Sequence, residues 1–193
     1  MDEILIPGND DTNFLGKYVI ATQGGPAYVR RGRRVEEALE QLLAKCEDRW
    51  EQDVGPVVEK LCLVRTMPQL EDRMRPLLAD EAELAVFRQL EGRLLAKPPV
   101  TILPERQFPR AFRDLIAAID RFNAAWAAFL RNLDLKPLND LRTDYNKYYL
   151  LEKECALRSP RLARHGYRPL ALLNVDDLFA RFPLLPRPRL AGE

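Results

Sequence analysis

The chain has 193 residues, of which 47% are hydrophobic and 31% charged, and its 30 basic and 29 acidic side chains leave a formal charge of +1. That length buries a core without disulfide or metal staples, and the balanced charge gives no global field to draw in a nucleic acid or a membrane surface. No apolar run approaches the roughly 18 residues that a membrane span needs, and the acidic start Met1-Asp2-Glu3-Ile4 lacks the cationic region of a signal peptide.

The residue types that catalysis draws on are scarce. There is one serine, Ser159, and one histidine, His165, and neither sits in a GxSxG setting. A serine or cysteine nucleophile would have to recruit that single imidazole. Cys46, Cys62 and Cys155 are widely spaced and lie on apolar helical stripes, where a thiol acts as a small hydrophobe. A reducing cytoplasm suits three unpaired thiols. Zinc, dinucleotide and P-loop signatures are missing, and Gly24-Gly25-Pro26 reads as a turn. The reading therefore assigns no catalytic residue, no cofactor and no metal. The basic residues are 23 Arg and 7 Lys, a bias that also follows from a GC-rich coding background and suggests a bacterial source.

In chain order, residues 1–32 read as an acidic lead-in followed by a β-hairpin, with Tyr18–Ala21 and Ala27–Arg30 flanking the Gly-rich turn. Residues 33–157 read as a helical bundle. Val35, Leu39, Leu42, Cys46, Trp50, Val54, Val57 and Leu61 recur every three or four positions, interrupted at Gly55-Pro56 by a kink or a junction of two helices. The other face of that helix is acidic from Glu36 to Glu59. Leu70, Met74, Leu77 and Leu78 form a further segment, and Asp80 with Glu83 resembles a capping box ahead of Leu84, Phe87, Leu90 and Leu94. Residues 97–107 form a proline-bounded crossover. Pro109 opens the strongest helix, with a stripe of Phe112, Leu115, Ile116, Ile119, Phe122, Trp126, Phe129, Leu130 and Leu133, and Lys136-Pro137 is expected to end it. Leu141, Tyr145, Tyr148, Leu151 and Cys155 mark a last long helix. Residues 158–193 form an irregular arm with seven Arg and five Pro, in which Asn174 caps a short helix, Val175–Phe182. The predicted fold is mainly α: a bundle of three to five long helices, a small N-terminal hairpin and an Arg/Pro-rich arm.

Three features compete for function. The arm carries Leu184, Leu185, Arg187, Arg189 and Leu190 on a proline-rich strand that cannot form its own core, so it packs on its own bundle or docks on another protein. Arg30, Arg31, Arg33 and Arg34 place four guanidinium groups within five residues, able to clamp phosphates or to pair with Glu36, Glu37 and Glu40. Tyr145 and Tyr148 belong to the buried stripe, while Tyr149, beside Asn146 and Lys147, is the tyrosine open to stacking on a base. Glu36-Glu37-Ala38-Leu39-Glu40 resembles EExxE, the first half of the metal-binding signature of all-helical nucleoside-triphosphate pyrophosphatases, which would imply Mg²⁺ held by these carboxylates. The companion ExxD is missing downstream, where Asp80-Glu81-Ala82-Glu83 gives DxxE, and acidic residues suit the first turn of a helix in any case. The function expected is that of a non-enzymatic helical interaction module, an adaptor or accessory subunit of a cytoplasmic assembly whose partner is another protein. Nucleic-acid binding through the arginines and Mg²⁺-dependent nucleotide hydrolysis stand as the alternatives.

Overall fold

The computed structural model describes residues 12–95, 102–158 and 169–193, with side chains described over 32–95, 102–147 and 169–193. These residues are mainly helical: α1 Thr12–Arg65, α2 Leu70–Met74, a 3-10 turn Arg75–Leu77, α3 Glu83–Leu94, a second 3-10 turn Glu105–Gln107, α4 Phe108–Arg131, α5 Lys136–Arg158 and α6 Val175–Arg181. No strand occurs among the described residues, only an isolated antiparallel bridge between Leu78 and Leu190.

The hairpin expected around Gly24-Gly25 is corrected: residues 18–30 belong to α1. A two-stranded hairpin needs a further layer to lean on, whereas extending an existing helix satisfies one backbone pair per residue without a new nucleus. Pro26 and Pro56 remove a donor each, yet α1 runs past both. Lys136-Pro137, expected to end α4, does not do so. That helix stops at Arg131, and Lys136 opens α5 with Pro137 in its first turn. There the missing N–H would have had no intrahelical partner, and the Asp134 carboxylate accepts the Lys136 backbone N–H at 3.0 Å.

The chain divides into two compact units, each assembled from two separate stretches. The first comprises residues 1–43 and 134–174. Val35 and Leu138 are buried in it, and Gly32 of α1 lies beside the ring of Tyr145. An extended segment lies along α5, held by a ladder of side-chain amides. Asn139 accepts the Leu173 N–H at 2.8 Å and donates to the Leu173 carbonyl at 2.9 Å. Asn146 makes the same pair with Leu170, at 2.8 and 2.7 Å. Arg142, between them, donates to the Ala171 carbonyl at 2.6 Å. Two helical turns separate the asparagines, about 10 Å at 1.5 Å per residue, and three extended residues cover about the same distance. The amides thus meet the segment in register, as a neighbouring strand would. Replacing Asn139 or Asn146 by Ala should cost about 1–2 kcal/mol each, because two bonds vanish and a partly buried peptide group loses its partner. Thermal unfolding monitored by circular dichroism checks this, while Lys147→Ala, whose contact is an exposed pair with Asp144, should leave the curve within error.

The second unit comprises residues 44–133 and 175–193. Its core is the stripe of α4, where Phe112, Leu115, Ile116, Ile119, Phe122, Trp126 and Leu130 are buried as the periodicity predicts, joined by Phe108, Ala111 and Ala118. Against it lie Cys46, Val54, Val57, Leu61 and Val64 of α1 and Leu84, Phe87 and Leu90 of α3. Aromatic rings run through this core: Phe108 stacks on Phe112, Phe122 on Trp126, and Trp50 meets Phe122 edge-on with centroids 5.9 Å apart. At the end of α1, Thr66 Oγ1 donates to the Leu63 carbonyl and accepts the Leu103 N–H. That one hydroxyl ties the chain entering α4 to the chain leaving α1.

Candidate functional site

The arm carries a connected set of polar contacts, and local sequence explains its path. Asp176 and Asp177 occupy the first turn of α6, where they favour the helix dipole, and Pro183 prevents the helix from continuing. From Phe182 the chain is extended and laid on α4. The Trp126 indole Nε1 donates to the Phe182 carbonyl at 3.0 Å, and the Phe182 ring meets Trp126 edge-on. Asn123 repeats the device of α5: it accepts the Leu185 N–H at 2.8 Å and donates to the Leu185 carbonyl at 3.0 Å. Leu185 is buried, while its neighbour Leu184 is 41% exposed, as alternation along an extended segment produces.

Two arginines then lock the arm. Arg187 forks between the Asp120 carboxylate, with Nε to Oδ1 at 2.7 Å, and the Glu193 carboxylate, with Nη2 to Oε1 at 2.6 Å. Arg189 donates its backbone N–H to Glu83 Oε2 at 2.8 Å and its Nε to Oε1 at 2.7 Å, and reaches Asp80 with Nη2 at 2.9 Å. Leu190 pairs with Leu78, flanked by the Ala79 N–H to the Arg189 carbonyl and the Ala191 N–H to the Leu77 carbonyl, both 3.0 Å. The capping-box expectation is altered accordingly. Asp80 accepts the Ala82 N–H near the start of α3, but Glu83 binds the arm instead of reaching back to Asp80.

The electrostatics follow from these bonds. The Arg189 backbone N–H, and then its guanidinium, hold the Glu83 carboxyl below the usual carboxylate range. The Arg187 fork, aided by the Leu190 N–H, brings Glu193 down to about 2. Arg187 is raised in turn, by Glu193 first and then Asp120. A carboxyl depressed in the folded state stabilises above its unfolded pKa, about 4.3, and that contribution is lost as pH falls through the folded value. Anchorage of the arm should therefore be complete above about pH 5 and decay towards pH 2. The protection factors of the Ala191 and Leu190 amides against hydrogen exchange should fall over that window, before those of α4. Glu91 works in the opposite sense, raised by burial, so the test belongs to arm amides and not to global stability.

The other predicted sites are less organised. Arg33 and Arg34 are exposed and form no ion pair with Glu36, Glu37 or Glu40, which are exposed as well. Arg30 and Arg31 lie in α1, and their side chains fall outside the described ones. No three His, Cys, Asp or Glu side chains among the described residues are grouped so as to hold a metal ion, so the EExxE carboxylates do not converge with others there. Cys46 is fully buried, and burial pushes its thiol up, the opposite of an activated nucleophile. Cys62 is only half-buried. Cys155, Tyr148 and Tyr149 lie in α5 with side chains outside the described ones, and Ser159 and His165 lie outside the described residues altogether. Asn146, read as a neighbour of a stacking platform, is instead committed to Leu170. No helix among the described residues is long and apolar enough to cross a membrane.

The asparagine contacts were missed from sequence. A signal existed, since asparagine is a poor interior helix residue and three of them stand in α4 and α5. No protein-family model, curated protein or solved structure matches the chain.

Proposed function

We propose that the chain is a non-enzymatic helical interaction module, an adaptor or accessory subunit of a cytoplasmic assembly, whose long helices act as a bundle-like scaffold. The observation that carries this reading is how its polar groups are distributed. The charged groups that secure the arm are paired with one another, while Glu36, Glu37, Glu40, Glu47, Asp48, Glu51 and Glu59 of α1 stand exposed without an ion partner. Groups held in mutual pairs build a scaffold, and groups left open to water remain available to a partner. In this reading Leu185, Arg187, Arg189 and Leu190 hold the arm down so that Leu184 is displayed. Capture of binding proteins from the native host, with the intact chain and with Leu184→Asp, tests it. The variant should keep the thermal unfolding curve and lose at least one specific partner. Identical capture by the intact chain, Leu184→Asp and Glu47→Lys/Glu51→Lys would remove the proposal.

A second reading, polyanion binding at Arg30, Arg31, Arg33 and Arg34, is supported by the exposed, unpaired state of Arg33 and Arg34. Arg187 and Arg189 are withdrawn from it by their carboxylate partners. Anisotropy of a labelled oligonucleotide across a salt series decides: binding should weaken steeply with salt, and again on Arg33→Ala/Arg34→Ala.

A further inference from the structure

The second unit contains seventeen acidic and seventeen basic residues, so it is electrically neutral as a whole. Its unpaired charges are nevertheless sorted. On α4 the exposed face carries Arg110, Arg113, Arg121 and Arg131, none in an ion pair, with Asp114 as the one unpaired acid among them. Between the arginines that face is lined by exposed Ala117, Ala124, Ala125 and Ala128, which leave the guanidinium groups unobstructed. On α1 the unpaired acids are Glu47, Asp48, Glu51 and Glu59, with Lys45 and Lys60 beside them.

The two sets also match in spacing. Arg110, Arg113 and Arg121 are separated by three and eight residues, about 5 and 12 Å along the helix. Glu47, Glu51 and Glu59 are separated by four and eight, about 6 and 12 Å. A polyanion would gain from the arginines and be repelled by the carboxylates of the same neutral unit. A second copy of this chain meets both with favourable sign, and no net charge opposes the approach.

We propose that the arginine face of α4 docks on the acidic face of α1 in a second copy of the chain. The two faces differ, so the contact is head-to-tail and can repeat from copy to copy. It consists of exposed ion pairs, each weak and screened by salt, and the association is accordingly low in affinity and confined to low ionic strength.

Sedimentation velocity of the full chain at high micromolar concentration tests this. Species larger than the monomer should form at about 20 mM salt, and the association constant should drop at least roughly tenfold by about 300 mM. Arg113→Glu/Arg121→Glu and Glu47→Lys/Glu51→Lys should each be monomeric and folded by circular dichroism. An equimolar mixture of the two should associate again, because each now presents the complement of the other. A monomer at every salt concentration, unaltered association in either variant, or failure of the mixture to associate would each overturn the proposal. A chain that stays monomeric but binds heparin through Arg113 and Arg121 would assign the arginine face to a polyanion instead.

Discussion

Trp126→Ala is expected to lose about 4–5 kcal/mol of stability in the second unit, the upper range for emptying a large aromatic site. The indole is fully buried, contacts the rings of Phe122, Phe129 and Phe182, and gives its Nε1 proton to the Phe182 carbonyl. Removing it opens a cavity and also releases the arm from α4 at Phe182. Trp126→Phe keeps most of the apolar area and should cost about 1 kcal/mol more than Trp50→Phe. Trp50 supplies the control because its Nε1 is buried without a hydrogen-bond partner, so phenylalanine there forfeits no bond. Urea unfolding of the three variants checks this, and equal costs at positions 50 and 126 would show that the bond to Phe182 contributes nothing.

Glu83→Ala is expected to cost about 2–3 kcal/mol, in line with hydrogen bonds to a charged group. The carboxylate is 5% exposed and receives two bonds from Arg189, one from the backbone and one from the side chain. The Arg189 side chain itself is 62% exposed, so water partly compensates that partner and keeps the figure from the higher range of fully buried pairs. Glu83→Gln retains an acceptor for the backbone N–H and should recover about half of the loss. It should also simplify the acid transition of the arm, leaving the step due to Glu193. Hydrogen exchange at Arg189 and Ala191 reads both effects, and unchanged protection in Glu83→Ala would show that the contacts at Asn123, Trp126 and Arg187 retain the arm without Glu83.

The legible parts of the fold were those where one helix face meets a core. The α4 stripe is written at helical spacing in nine large residues, and seven of them are buried, with Phe129 and Leu133 partly so. The start at Pro109 and the short helix after Asn174 followed from side chains acting on their own backbone. The arm's choice between its own chain and a partner was not legible. It depends on Asn123, Trp126, Glu83 and Asp120, which stand from 56 to 106 positions away in sequence. A polar residue inside a helix carries no mark of what it will bind at that separation. The hairpin failed for a related reason. Gly24-Gly25-Pro26 is a strong local turn signal, and the cooperative extension of α1 overrides it.

The asparagine ladder on α5 has a consequence for how this region changes over evolutionary time. Amide groups that grip only the main chain are indifferent to which side chains the segment carries. Positions 170 and 173 can change side chain without losing these bonds, provided each still offers a peptide N–H, which proline alone withholds. Asn139 and Asn146 have no such latitude, since no other side chain of that length presents a donor and an acceptor side by side. Diverged relatives should therefore be recognisable by two asparagines seven positions apart opposite a segment whose own letters no longer align.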